Sequence, residues 1–176
     1  MNEAGLVLIG YRGAGKSTLG PRLAARLGRP FLDLDREIEH SAGRTIAEIF
    51  AVEGEPAFRD LEAKVLEALA SERPGCVLAT GGGAVLRSSN RRVLRGYGLV
   101  VWLRAEPGTL TARLAADPGD RPSLTGLSLA EEVGRVVAER EPIYRQLSDF
   151  EIETDRVTPE EACDRIAAAW SARFHP

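Results

Sequence analysis

Five short runs of mostly apolar residues punctuate the chain: Gly5–Ile9 (GLVLI), 30–34 (PFLDL), 76–80 (CVLAT), 99–103 (LVVWL) and 150–154 (FEIET). A short continuous apolar run such as GLVLI predicts a strand covered on both faces in a parallel sheet, and the other four are read as similar runs. Helix-period stretches lie between them, so the chain reads as repeated strand-then-helix units of an α/β fold. Leu19, Leu23 and Leu27 recur every four residues as the apolar stripe of one helix, which Gly28 ends. Phe58, Leu61, Val65 and Leu69 mark the buried stripe of another. Thr45 with Glu48, Ser128 with Glu131 and Thr158 with Glu161 have the spacing of a capping box, and Pro159 suits a first helical position. The stretch 117–126 (DPGDRPSLTG) has turn chemistry without periodicity between two helical segments, and it is expected to be either a mobile lid or an ordinary surface loop.

The 176 residues suit one domain, 1–176, with the lid near 117–126 and with no internal repeat or interdomain linker. No run is long enough to span a bilayer, and the first residues lack the basic segment of a signal peptide, which predicts a cytoplasmic protein. A net charge of −3 offers nucleic acid or an anionic membrane no general attraction, so any bound anion must be held locally. Cys76 and Cys163 stand far apart in sequence, with no metal-ligand spacing to His40 or His175, and are expected to be buried thiols. Among 23 basic residues the only lysines are Lys16 and Lys64, which makes the lysine at 16 a distinct chemical choice.

Lys16 closes the segment Gly10-Tyr-Arg-Gly13-Ala14-Gly15-Lys16-Ser17, a match to G-x-x-x-x-G-K-[ST] placed directly after a predicted strand and opening a helix. The glycines let backbone amides curl around a phosphate, and the helix N-terminus adds partial positive charge aimed at the same anion. Lys16 is then expected to reach the β- and γ-phosphates of a nucleotide, and the Ser17 hydroxyl to ligate magnesium.

Three further features gather at the same sheet edge. Asp33 and Asp35 lie two apart, hence on one side of an extended chain at the strand's C-terminal end, where open α/β sheets bind ligands. One can serve the magnesium shell and the other a substrate hydroxyl; alternatively both cap the following helix. Arg59 and Glu62, three apart, form either a braced guanidinium that fits a carboxylate or a plain surface pair. Gly81, Gly82 and Gly83 place three residues without side chains after the third strand, as a close backbone approach to a ligand requires.

Taken together these pieces resemble the shikimate kinase family, over essentially the whole chain: GYRGAGKST at 10–18, DLD at 33–35, FRDLE at 58–62, GGGAV at 81–85, RP at 121–122 and REPIY at 140–144. The resemblance implies a three-layer α/β/α P-loop kinase fold, with a central five-stranded parallel sheet and a lid. It implies that Gly13 to Thr18 (Ala14, Gly15, Lys16 and Ser17 between) hold ATP, and that Ser17 and Asp33 serve Mg2+. Asp35 is similar to the family's contact to the acceptor's ring hydroxyls, and Arg59, Gly82 and Arg140 to its other shikimate contacts, the two arginines gripping the carboxylate. Arg121 is similar to the lid arginine over the phosphates, Arg113 to an adenine-stacking residue, and Pro159 lies in the other adenine wall. Ser123 and, after Tyr144, Gln146 and Ser148 depart from the usual family pattern.

The expected reaction is transfer of the γ-phosphoryl group of ATP to the 3-hydroxyl of shikimate by a monomer, with Lys16, Asp35 and Arg121 as catalytic residues. The nearest rival is another small P-loop kinase acting on gluconate or a nucleoside monophosphate. A nucleotide acceptor needs an apolar base slot beside the second arginine, and the sequence locates none. A GTPase-like switch would read guanine through Asn-Lys-x-Asp, which the chain lacks. A binding protein without catalysis is disfavoured because each proposed catalytic position holds a competent residue.

Overall fold

The structure is a computed structural model that describes residues 4–117 and 126–174. Among these residues lie five strands, β1 (Gly5–Ile9), β2 (Phe31–Asp33), β3 (Val77–Ala79), β4 (Gly98–Arg104) and β5 (Phe150–Glu153). They form one sheet in the order β2-β3-β1-β4-β5, with every pair parallel. The five runs expected from the sequence are these strands, shifted by a residue or two at their ends. The helices are α1 (Lys16–Leu27), α2 (Leu34–Ala42), α3 (Ile46–Glu72), α4 (Ser88–Tyr97), α5 (Pro107–Ala116), α6 (Leu129–Leu147) and α7 (Pro159–Phe174), with a 3₁₀ turn at Ala84–Leu86.

Both faces of the sheet are covered around β1, β3 and β4, which is why these strands are continuous apolar runs, whereas the edge strand β5 (FEIE) alternates and leaves Glu151 exposed. Leu6 and Leu8 of β1 face one hydrophobic cluster with Leu23 of α1, Leu110 of α5, Val133 of α6 and Ile166 of α7. Val7 and Ile9 face the other, with Ile38 of α2, Leu66 of α3, Leu94 of α4 and Tyr144 of α6. The result is the three-layer α/β/α arrangement. Helix α6 contributes to both clusters, so its N-terminal half and its C-terminal half serve opposite layers.

Local chemistry sets the element ends. Leu19 and Leu23 are buried, and Gly28 ends α1 in the left-handed region. The capping boxes at Thr45–Glu48 and Ser128–Glu131 are complete. Thr158 and Glu161 exchange the same two hydrogen bonds ahead of α7. Helix α3 is broken at Gly54, with Pro56 just beyond. Cys76 and Cys163 are free and buried. The expected lid falls almost wholly at 118–125, outside the described residues.

This topology makes a crevice. The helix after β1 packs on one face, while the 3₁₀ turn and α4 after β3 pack on the other. The register that sets Leu8 beside Ala79 and Asp33 beside Ala79 brings the C-terminal ends of β1, β2 and β3 level. The loops that leave those ends therefore part around a common cleft, where open α/β sheets bind ligands.

Candidate active site

The loop after β1 is folded around its own lysine. Lys16 Nζ donates to the carbonyls of Gly10 (2.7 Å) and Tyr11 (2.9 Å), and Ala14 N donates to Tyr11 O at 3.2 Å. Gly15 precedes α1 and no described side chain caps it, so the first-turn amides of α1 and the positive end of its dipole are left to an anion. They face a cleft of ≈ 710 Å³ lined by all of Gly13 to Thr18, by Asp33, Asp35, Gly81 and Gly82, and on the far wall by Arg113, Thr154 and Pro159.

Arg113 lines this cleft, and its donors are engaged. Nη1 reaches Gly13 O and Thr154 Oγ1, both at 3.1 Å, and Nη2 reaches Thr154 O at 3.0 Å. The guanidinium thus ties the phosphate loop to the end of β5 and is held within the cleft wall. Next to it, Asp155 accepts from Glu106 N at 2.9 Å, a bond that holds its carboxyl below the usual range.

The two aspartates differ from the extended pair expected. The strand ends at Asp33 and the helix starts at Leu34, so Asp35 lies in the first turn of α2. Asp33 is the N-cap, its Oδ1 accepting from Asp35 N at 3.0 Å and more weakly from Arg36 N at 3.5 Å. Capping and functional roles are compatible here, since both carboxylates still line the large cleft. Only Asp35 also lines the second cavity.

That second cavity, ≈ 80 Å³, adjoins the first and is lined by Arg12, Asp35, Arg59, Glu62, Gly81 to Gly83 and Arg140, with a wall of Ile46, Ala47, Phe50 and Phe58. The wall corrects the expectation that no apolar slot exists near the arginines. The larger cleft is the roomier of the two, and it alone holds the phosphate loop's Gly13 to Thr18. Three guanidiniums against the carboxylates of Asp35 and Glu62 suit a compact anionic acceptor.

Arg59 and Glu62 are not a surface pair. Glu62 is 1% exposed, and Arg59 Nη1 donates to both of its oxygens at 3.1 and 2.9 Å. Burial pushes the Glu62 carboxyl above its ordinary value, while Arg59 pulls it back down. The glycine run makes room for these groups. A Cβ on Gly83 would stand 2.8 Å from Arg59 Cζ, and one on Gly81 would stand 2.9 Å from Asp35 Oδ1. Beneath the run, buried Tyr144 donates from Oη to Gly82 O at 2.7 Å. Burial pushes this phenol up to about 12 against the opposing pull of Arg140.

Every proposed site residue among those described therefore reaches one of the two cavities; Arg121 lies outside the described residues. The sequence reading missed Arg12, which lines both cavities and forms an ion pair with Glu132, itself 1% exposed in the first turn of α6. Its one signal was a basic residue at a variable position of the phosphate loop. Glu132 gave none, since it looks like any acid beside a helix N-terminus.

Known proteins share this architecture. A family model described as shikimate kinase matches residues 12–171. The shikimate kinase of Rhodopirellula baltica is 47% identical over 167 residues, spanning 93% of this chain and 89% of that protein. The shikimate kinase of Symbiobacterium thermophilum is 50% identical over 153 residues, 86% of this chain and 87% of its own. A solved structure of the Acinetobacter baumannii shikimate kinase in complex with shikimate superposes with a TM-score of 0.90 at 37% identity, covering 98% of this chain and 96% of that one.

Proposed function

The chain belongs to the shikimate kinase family, and from that premise we propose that the large cleft takes ATP, the small cavity takes shikimate, and the γ-phosphoryl group passes between them to the 3-hydroxyl. It is an ATP-dependent phosphotransferase acting on an alcohol group. The observation that carries the assignment of substrates to cavities is their meeting at Asp35, with a phosphate loop on one side and paired arginines on the other.

Phosphoryl transfer asks a protein mainly for alignment and charge stabilisation. Arg59, held by Glu62, and Arg140 would grip the shikimate carboxylate, and Gly81 to Gly83 would let the ring approach the backbone. Asp35 would accept a hydrogen bond from the reacting hydroxyl. As its oxygen bonds to the γ-phosphorus, the bond to the β,γ-bridging oxygen breaks and its electron pair stays on ADP. The hydroxyl proton leaves late, with Asp35 the acceptor at hand. Lys16 and the α1 N-terminus would hold the phosphates, Arg113 and Pro159 would flank the adenine, and Arg121 would close over the phosphates to exclude water.

Ser17 and Asp33 line the same cleft, and a hydroxyl with a carboxylate is an oxygen donor set that suits Mg2+, an ion that keeps several waters and binds through few protein groups. When bound there with ATP, Mg2+ supplies neutralisation of phosphate charge. The reading also has the chain working as a cytoplasmic monomer. Among the described residues no helix is long and apolar enough to cross a membrane.

A coupled ADP-release assay offering shikimate, gluconate, AMP and CMP tests this, with Asp35→Ala as control. Release should depend on shikimate and fall away in the control. Release that ignores shikimate would overturn the substrate assignment.

A further inference from the structure

Among the described residues, four line both cavities: Arg12, Asp35, Gly81 and Gly82. A phosphoryl group moving from the large cleft to the small cavity must cross the seam these residues form. Two of them have no side chain and one is an anion, so Arg12 is the cation at the crossing. Charge that spreads over the equatorial oxygens during transfer is stabilised best by donors already in place.

Arg12 is held in place. Its Nη2 is paired with the carboxylate of Glu132, a residue 1% exposed, while the Arg12 side chain keeps 18% exposure. A buried carboxylate that accepts from a guanidinium restrains its orientation through a charge-assisted hydrogen bond. The pair does not exhaust the guanidinium. Nε is buried and has no hydrogen-bond partner among the described residues, and a guanidinium carries five N–H donors. From below, the backbone is fixed by Tyr11 O, which accepts from both Ala14 N and Lys16 Nζ. The phosphate-loop pattern leaves this position chemically open, so neither nucleotide binding nor the turn calls for arginine there.

We infer that Arg12 is a further catalytic residue, a guanidinium that contacts the phosphoryl group as it crosses from ATP to shikimate, with Glu132 as the positioning residue that aims it. This rests on the functional reading above. Lys16 and Arg12 then divide the work: the lysine lines only the large cleft, and the arginine, fixed at the seam, meets the group where it crosses.

The test compares Arg12→Met, Arg12→Lys and Glu132→Gln with the parent enzyme in shikimate-dependent ADP release. Direct titrations of ADP and shikimate, and trapping of an ADP–fluoroaluminate–shikimate complex, complete it. Arg12→Met is expected to lose about 10²–10³-fold in kcat, the range for one preorganised donor. Its KM values and its ADP and shikimate affinities should stay within about fivefold, and the fluoroaluminate complex should fail to form. Arg12→Lys should recover part of kcat, since it restores charge without the fork. Glu132→Gln should lower kcat by about tenfold at unchanged ADP affinity, because the guanidinium is still present but less well aimed. Should Arg12→Met not fold, Arg12→Lys carries the same comparison of kcat against KM. A kcat within threefold of the parent in folded Arg12→Met, or a loss confined to KM, would overturn the inference. The functional reading fails separately, through parent enzyme that releases ADP without shikimate.

Discussion

Glu62 takes two hydrogen bonds from a single nitrogen of Arg59 while lying almost wholly out of solvent. A buried carboxylate of this kind holds its partner in one orientation, because any other leaves a charge unpaired. Glu55 adds two longer bonds to Arg59 from the exposed side, at 3.3 and 3.2 Å. The guanidinium that lines the smaller cavity, proposed above to take the acceptor, is therefore preset. Replacing Glu62 by Gln removes the charge and keeps the size. The shikimate KM should rise about tenfold to a hundredfold, in line with roughly 1.5–3 kcal/mol for a hydrogen bond to a charged group, with kcat changed less. Steady-state kinetics at saturating ATP decide it; an unchanged KM would count against the brace.

The same carboxyl gives the site a pH dependence whose sign can be worked out. Burial raises Glu62 above its ordinary value of 4.5, so the fold favours its protonated form. Its contribution to stability is complete below the unfolded value and is lost as pH rises through the folded one. Binding runs the other way, since the brace needs the anion: shikimate KM should climb as pH falls through the raised value. The capping glutamates behave oppositely. Glu48 and Glu161 are lowered chiefly by backbone bonds from their N-caps, and Glu131 chiefly by the Ser128 hydroxyl. Their stabilisation is present above 4.5 and lost as pH drops through lower values. Acid should thus weaken shikimate binding at a higher pH than the one at which the fold loosens. Parallel KM and circular-dichroism titrations would separate the two, and Glu62→Gln should flatten only the first.

Much of this was legible in the chain because it rests on short-range rules. Apolar runs, four-residue stripes and capping boxes each report local geometry, and the phosphate-loop pattern names its own strand-loop-helix context. Depth was harder to see. The i,i+3 spacing of Arg59 and Glu62 is the same on a surface as in a core, and only the turn of α3 toward the glycine run buries Glu62. Asp35 was misplaced by one element because a helix that starts straight from a strand leaves no loop signal between them. The Arg12–Glu132 pair joins residues 120 apart in sequence, a distance at which no periodic pattern operates.

Tyr144→Phe should test the support beneath the glycine run. The phenol is 1% exposed and donates to the buried carbonyl of Gly82. Without it that carbonyl keeps no phenolic partner, at about 1–3 kcal/mol, or roughly 2–10 °C in Tm for a chain of this size. The phenol's folded value lies above the unfolded one, so the bond's stabilisation is complete below the unfolded value and lost only as pH rises through about 12. Thermal melts of parent and variant should therefore differ by a constant amount across neutral and mildly alkaline pH. Convergence of the two curves there would show that the bond carries nothing.

Arg140 and Arg121 should separate binding from chemistry. Arg140 lines the acceptor cavity, so Arg140→Ala should raise the shikimate KM strongly, by about tenfold or more for a charge-assisted pair. Arg121→Ala should instead lower kcat far more than it weakens shikimate binding, if that residue closes over the phosphates. Equal kcat in the second variant would remove its closing role.

The glycine run offers the sharpest contrast, because two adjacent-looking substitutions should fail in different ways. A Cβ on Gly83 meets the end of the Arg59 side chain, and a Cβ on Gly81 meets a carboxylate oxygen of Asp35. Neither glycine has a positive φ, so neither change strains the backbone; Gly81→Ala should leave the melting temperature nearly unchanged, and Gly83→Ala should lower it only through the disturbed Arg59–Glu62 pair. In Gly83→Ala the methyl must push a guanidinium that Glu62 holds from below, which displaces the carboxylate grip: shikimate KM should rise about tenfold or more with kcat nearly kept. In Gly81→Ala the displaced group is the one expected to orient the reacting hydroxyl, so kcat should fall about tenfold to a hundredfold while KM shifts less. The double variant Gly83→Ala with Glu62→Gln supplies the control, since a released guanidinium can give way to the methyl. Its KM should exceed that of either single change by less than their product, as expected for two residues acting through one side chain.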